Sequence, residues 1–521
     1  MLKLNLKTCI LVLFVCLFSF VSVKTYAQKR EKTETKKAIF TPTDKATNGS
    51  VMVDGHKINY KAIAGSIYLK NDKEDTTARM FYVAYMKDGV SNISDRPVTF
   101  LYNGGPGSST LWLHMGSFGP RRVIVADSSH TKPAPYQLVN NQYSLLDVSD
   151  LVFIDAPGTG FSRIVGVGKK KDFYGVDQDG HAFAQFITRF LSKYSRWNSP
   201  KYLFGESYGT TRSAVLARYL ETQKNVDLNG VILLSQILSY DISNDDDPYH
   251  NPGMDLTYEL ALPTYAATAW YHHKLTNHTA DLQTFLKKVE HFAMNGYTQA
   301  LQKGNTLSAQ EKKQVAVTMH SYTGLPVKYL IKANLRVSGG EFEHELLSDS
   351  ERSTGRLDTR FSGYSMDPLS KESKYDPQAS SISSAYVSLF NNYMQNVLKY
   401  GRNMTYKPEI PLWKSWDYLH QPPGTRRKLP QATNVMPDLS TAMKYNPDLH
   451  VMLNAGYFDL ATPFYAAVYT MQHLSIPPKL QNNIEYKYYK SGHMVYVNVP
   501  SLKKLHENVA EFIRKTDNVK N

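Results

Sequence analysis

Only two cysteines occur in 521 residues, Cys9 and Cys16, and both fall in the first apolar stretch of the chain. A mature chain cut after that stretch carries none. This excludes disulfides as its source of stability, a cysteine nucleophile, and any cysteine-built zinc or iron–sulfur centre. The apolar run itself is short: Cys9 to Val23 spans 15 residues, and a membrane-spanning helix needs ~20. It follows a lysine-bearing start and precedes Thr25-Tyr26-Ala27, with small residues at the third and first positions before a cut, the pattern of a secretory signal over 1–27. Internal repeats and a coiled-coil register are missing too. A concentrated block of one charge is also lacking. The formal charge is +14, or +11 once Lys3, Lys7 and Lys24 leave with the signal, but the basic residues are scattered, which describes a solvated surface rather than a nucleic-acid site.

What remains has the composition of an ordinary globular protein, with 42% hydrophobic and 20% charged residues. Residues 28–50 are polar and aperiodic, and are expected to form a flexible leader. Alternating segments at 51–60, 62–69 and 79–86 predict an antiparallel opening to a sheet. Continuous apolar runs at 97–102, 151–154, 201–204 and 231–234 predict strands buried on both faces. Helical stretches at 180–194 and 213–223 alternate with them, as an α/β sheet requires. From the acidic cluster Asp245-Asp246-Asp247 onward the texture is helical, at 258–273, 280–295, 308–319, 326–333 and 383–400. Strand-like segments return at 450–453 and 484–489, followed by a closing helix over 499–516. The expected organisation is a core first part at 51–239, a cap or insertion at 240–430, and a core second part at 431–521.

Four loops that follow strands carry chemistry. Gly205-Glu206-Ser207-Tyr208-Gly209 has the glycines that let a strand turn sharply into a helix and project a serine hydroxyl. A serine needs a general base oriented by a carboxylate. Asp459 and His493 stand in later post-strand loops, in the chain order Ser, Asp, His. Asp459 also reads as a helix cap ahead of Leu460-Ala-Thr-Pro, and His493 as a polar loop residue. Asn103-Gly-Gly-Pro-Gly-Ser-Ser109 permits a close backbone approach. It lacks the Gly-Lys-Ser/Thr continuation of a phosphate loop, so an oxyanion hole from the N–H groups of Gly105 and Tyr208 is the assignment.

The ordered blocks Asn103-Gly-Gly-Pro-Gly-Ser-Ser, Asp155-Ala-Pro-Gly-Thr-Gly-Phe-Ser162, Gly205-Glu-Ser-Tyr-Gly, Asn454-Ala-Gly-Tyr-Phe-Asp459 and Gly492-His-Met494 resemble the serine carboxypeptidase family over about 80–240 and 445–515. The resemblance implies an α/β-hydrolase fold with a mixed, mostly parallel central sheet and a large, mainly helical cap. It implies a triad of Ser207, Asp459 and His493, an oxyanion hole at Gly105 and Tyr208, and a substrate-carboxylate site at Asn103 and Glu206. Two departures stand out: Ser108 replaces a frequent cysteine, and Ser117 replaces a second carboxylate-binding glutamate. The implied activity is stepwise release of C-terminal residues through an acyl-enzyme on Ser207.

A serine esterase or acyltransferase would use the same residues, and a noncatalytic binding protein would keep the same fold. The expected partners are peptides or small proteins with a free C-terminus. No metal, organic cofactor, specific nucleic acid or stable membrane span after signal cleavage is expected. The expected location is exported, periplasmic or extracellular.

Overall fold

The computed structural model describes residues 44–244, 252–276 and 281–519. The expected signal, both cysteines, most of the expected leader and the Asp245–Asp247 cluster lie outside the described residues. Ten strands form one sheet: β1 (Lys45–Val53), β2 (His56–Lys70), β3 (Thr76–Lys87), β4 (Val98–Tyr102), β5 (Asp150–Ile154), β6 (Arg163–Ile164), β7 (Lys201–Glu206), β8 (Gly230–Leu234), β9 (His450–Gly456) and β10 (Ile484–Tyr489). Their order is β1-β2-β3-β5-β4-β7-β8-β9-β10, with β6 against β3. From β5 to β10 along this path the strands run parallel. β1, β2 and β3 pair antiparallel, and β3 meets β5 antiparallel. Every residue of β4, β5, β7 and β8 is buried, which is why these segments read as unbroken apolar runs.

Helices cover both faces. On one lie α1 (Val176–Lys193), α2 (Tyr208–Gln223) and α7 (Met436–Tyr445), packing Phe183, Ile187, Val215, Leu216 and Met443 onto the sheet. On the other lie α6 (Pro377–Asn396) and α9 (Val499–Thr516), contributing Phe390, Tyr393, Val509 and Phe512. A third apolar cluster joins α3 (Leu256–Tyr271), α4 (Leu282–Phe292) and α5 (Ala309–Thr323) to Tyr457, Phe458, Leu460 and α8 (Phe464–Gln472). Thus the helices after β8 pack directly on the loop that carries Asp459. Among the described residues no helix is long and apolar enough to cross a membrane.

Several expected boundaries differ from the structure. The leader was expected to run to residue 50, but Lys45–Ser50 already pair with β2. As an edge strand β1 is held by backbone hydrogen bonds and exposes much of its surface, so it needs no apolar alternation. The segment 51–60 is two strands, broken at Asp54-Gly55 with φ of 46° and 80°, the Asp-Gly hairpin turn. Helix α2 begins at Tyr208, immediately after the serine, rather than at 213. Helix α6 begins six residues earlier than its apolar spacing indicates, because Asp376 accepts from Ala379 N and Pro377 opens the first turn.

A buried imidazole ties the segment after α6 to the core. His420 Nδ1 lies 2.5 Å from Asp177 Oδ1 of α1, and Nε2 lies 2.7 Å from Asp438 Oδ2 of α7. Burial opposes charging of His420, but the two carboxylates more than offset it and push the imidazole up to about 9. Stability from a raised imidazole is complete below the ordinary histidine range and is lost as pH rises through the folded value. The pairing therefore contributes up to ~3 kcal/mol at neutrality. We expect the melting temperature to fall as pH rises from the ordinary histidine range toward about 9 and to level off above it. His420→Gln should be less stable at neutrality and show a smaller fall across that region. Parallel melting curves of the two proteins against pH would contradict this.

Candidate active site

The parallel strands deliver the expected residues to one end of the sheet. Asn103 follows β4, Ser207 follows β7, Asp459 follows β9 and His493 follows β10. Carboxyl ends of parallel strands are where such sheets bind ligands. Ser207 has φ 60° and ψ −131°, a conformation that costs an L-residue about 1–3 kcal/mol. The glycines on either side are required by contact. A Cβ at Gly205 would collide with Gly209 O and lie 2.5 Å from Ser213 Oγ, and one at Gly209 would lie 2.9 Å from Tyr102 O.

Gly104 presses against the first turn of α2, where a Cβ would collide with Tyr208 N and lie 2.6 Å from Gly209 N. This close approach sets the loop carrying Gly105 beside the helix N-terminus, where the first N–H groups have no intrahelical acceptor. The Tyr208 side chain turns away, edge-on to Trp416 at 5.3 Å. Arg212 fixes the base of the same loop: its Nε donates to Asp179 Oδ2 at 2.6 Å and its Nη1 to Asn103 O at 2.7 Å, all buried.

His493 Nδ1 lies 2.9 Å from Asp459 Oδ2. Thr462, which sequence reasoning missed, donates its N–H to Asp459 Oδ1 at 2.9 Å and its hydroxyl to Oδ2 at 2.6 Å. Asp459 therefore caps a turn as well as pairing with the histidine; the helix that follows begins only at Phe464 with Pro463 at its N-cap, so Asp459 is not the helix cap that its sequence context suggests. Burial alone would depress His493. The Asp459 carboxylate, with Glu206 beyond it, more than offsets this and raises its proton affinity above the ordinary value. Ser235 Oγ donates to His493 O at 2.7 Å and steadies the loop.

Glu206 is buried beside the serine. Asn103 Nδ2 donates to its Oε2 at 3.0 Å and the Tyr496 hydroxyl to the same oxygen at 2.9 Å. Burial pushes its carboxyl up to about 7, against the opposing pull of His493, Tyr496 and Asn103. Tyr496 was also missed; it stands three residues after His493 in a tight turn with no periodic signal. Ser117, expected where the family has a second glutamate, is fully buried and donates to Leu113 O at 2.6 Å, closing its own turn. A cavity of about 190 Å³ brings Asn103, Gly105, Glu206, Ser207 and His493 together, walled by Trp112, Ile382 and Met494.

A serine on a glycine-flanked strand-to-helix turn, a histidine–aspartate pair and donors at a helix N-terminus, all at the carboxyl end of a mostly parallel sheet, define an α/β hydrolase. The family model of serine carboxypeptidases, peptidase S10, matches residues 55–507, and the chain belongs to that family. It is 33% identical over 146 residues to a pheromone-processing carboxypeptidase KEX1 of Yarrowia lipolytica, covering 27% of this chain and 22% of that one. It is 25% identical over 229 residues to serine carboxypeptidase-like 33 of Arabidopsis thaliana, 43% of each chain. The matched stretches thus span less than half the length of these curated relatives. The solved prohormone-processing carboxypeptidase of Saccharomyces cerevisiae superposes with a TM-score of 0.51 at 16% identity, over 89% of this chain and 94% of that one, and shares the fold.

The strain at Ser207 makes a prediction. Replacing it with glycine relieves a positive φ, whereas alanine leaves it, so Ser207→Gly should be about 1 kcal/mol more stable than Ser207→Ala after the extra chain entropy of glycine is counted. Urea titration of the two variants measures the difference. A glycine variant less stable than the alanine variant would contradict the strained elbow.

Proposed function

We propose that this chain is a serine carboxypeptidase that releases C-terminal residues from peptides or small proteins. The observation that carries the reading is Glu206: a buried carboxyl that keeps its proton up to about pH 7, adjoining the serine in one cavity with His493. Such a group reads a free C-terminal carboxylate by donating the proton the two would otherwise repel across. Asn103, on the same cavity wall, supplies a second polar contact.

In this reading the terminal carboxylate, held by Asn103 and Glu206, places the last peptide bond over Ser207. His493 takes the hydroxyl proton as Ser207 Oγ bonds to the carbonyl carbon, with Asp459 holding the imidazole. The N–H groups of Gly105 and Tyr208 receive the developing oxyanion. Collapse breaks the C–N bond, and the proton on His493 passes to the departing amine. Water then attacks the ester, giving one proton to His493, which returns it to Ser207 Oγ as the C–O bond breaks; the acyl group leaves as a carboxylic acid that gives up the other water proton to solvent. We also propose that the 240–430 insertion shapes the non-leaving side of the cleft, and that the protein is exported, to the periplasm or the medium, by cleavage of residues 1–27.

Ser207→Ala should lower the release of C-terminal residues by at least about a thousandfold. Parental turnover by this variant would remove the serine from the mechanism. Strong ester turnover with no release of C-terminal residues from free peptides would move the assignment to an esterase or acyltransferase.

The pH dependence has a definite sign. Glu206 donates only while protonated, so binding of free-carboxyl peptides should weaken as pH rises through about 7. Glutamine donates at any pH. In Glu206→Gln the alkaline loss of kcat/KM on these peptides should shrink, with little change on C-terminally amidated ones. Tyr496→Phe removes a donor that holds the Glu206 proton affinity down, so its alkaline limb should move upward while KM rises a few-fold. Identical alkaline profiles for all three proteins would show that Glu206 does not read the carboxylate.

A further inference from the structure

The residues around His493 and Asp459 are held from outside by a short turn in the insertion, between the strand Arg352–Thr354 and α6. Residues 356–360 touch both catalytic loops at once. Arg356 O accepts from Leu460 N and from Ala461 N, each at 3.1 Å, and Thr359 N donates to Phe458 O at 2.9 Å. These three bonds bracket Asp459. On the other side, Leu357 O accepts from His493 N at 2.6 Å, and Asp358 Oδ2 accepts from Gly492 N at 3.2 Å. Approach at that point is tight enough that a side chain on Gly492 would collide with Asp358.

Asp358 is itself pinned. It is fully buried, and Arg360 grips it through Nη2 to Oδ2 at 2.6 Å and Nε to Oδ1 at 3.0 Å. The far end of Arg360 reaches Asp127 at 2.9 Å, whose side chain is 47% exposed. The turn is anchored in the insertion as well, since Thr359 O lies 2.7 Å from His272 Nε2, just past α3, and Leu357 N donates to Asp376 at 2.7 Å.

We infer that Asp358, locked by Arg360, is a positioning residue: it clamps the Gly492–His493 turn against the Asp459 loop and so sets the geometry of the imidazole–carboxylate pair. The inference rests on the proposed roles of Ser207, Asp459 and His493 and extends them into the insertion. A buried ion pair is poor evidence for stability alone, and here both partners contact the loop that bears the base, because Arg360 Nη2 also reaches Ser491 Oγ at 3.4 Å.

The test is Asp358→Asn in the full chain. Asparagine keeps an acceptor for Gly492 N but cannot hold Arg360 by charge, so the turn slackens. We expect kcat on a free-carboxyl peptide to fall about tenfold or more with KM changed less than about twofold, because misplacement of the base is felt in the chemical step. Inactivation by a serine-directed phosphonate should slow by the same factor. The acid limb of kcat/KM should also move. Asp459 and Glu206 raise the His493 proton affinity, while Arg356 and burial lower it; loosening the Asp459 contact moves the limb to lower pH. A purely structural contribution would leave that limb in place.

Because Asp358→Asn leaves Arg360 paired only with Asp127, Asp127→Asn serves as a second probe. It releases the outer end of Arg360 at a half-exposed position, and a two- to fourfold loss of kcat is expected, with the limb displaced in the same direction. Parental kcat and acid limb in either variant, folded, would overturn the clamp while leaving the serine mechanism standing. Peptide turnover by the parent that does not depend on Ser207 would remove the reading beneath it.

Discussion

Ser207 stands at φ 60°, ψ −131°, and keeping it there constrains everything around it. The residue ends a fully buried parallel strand and begins a helix within one peptide. Gly205 and Gly209 must therefore lack side chains, and the strand must be locked between β4 and β8. Their pairing with β7 covers Lys201 to Gly205 on one side and Tyr202 to Glu206 on the other. The local cost of about 1–3 kcal/mol is carried by a core in which several strands are wholly buried. In return Ser207 and Glu206 line a single cavity.

The second constraint is electrostatic. Glu206 and His493 face each other in a buried space, each shifting the other. In the proposed mechanism the productive arrangement has the proton on Glu206 and a neutral imidazole. The unproductive one, with carboxylate and imidazolium, carries the same net charge, so the apparent titrations belong to the pair. An incoming terminal carboxylate favours the productive arrangement, since it repels a charged Glu206 and accepts from a protonated one. In that proposed mechanism, substrate binding frees the base. The donors on Glu206 Oε2, Asn103 and Tyr496, leave Oε1 as the oxygen without a strong internal claim on it.

Much of this was legible in the chain. Continuous apolar runs marked the parallel strands because burial on both faces leaves no room for polar alternation. The glycines around Ser207 and Asn103 marked backbone approaches that any side chain would block. Asp459 and His493 each follow a strand in the right order, which alone is modest support; the resemblance of Asn454–Asp459 and Gly492–Met494 to family blocks singled them out. Tyr496, Thr462 and Asp358 were not legible, for a common reason. Their importance comes from what they touch across long stretches of chain, as when Tyr496 meets Glu206 from 290 residues away, and nothing in their own neighbourhood announces it. Lys45–Ser50 of strand β1 were missed for the complementary reason: an edge strand is specified by its partner's backbone more than by its own side chains.

Every proposed role depends on Ser207 being the nucleophile of a site that reads a free carboxylate. The most direct measurement is to treat the folded protein with a peptidyl phosphonate ending in a free carboxylate, locate the adduct by mass spectrometry of the digested chain, and repeat with the amidated analogue. The account predicts one adduct, on Ser207, formed much faster with the free-carboxylate reagent below about pH 7 than with the amidated one. An adduct at another residue, or equal rates for the two reagents, would contradict it.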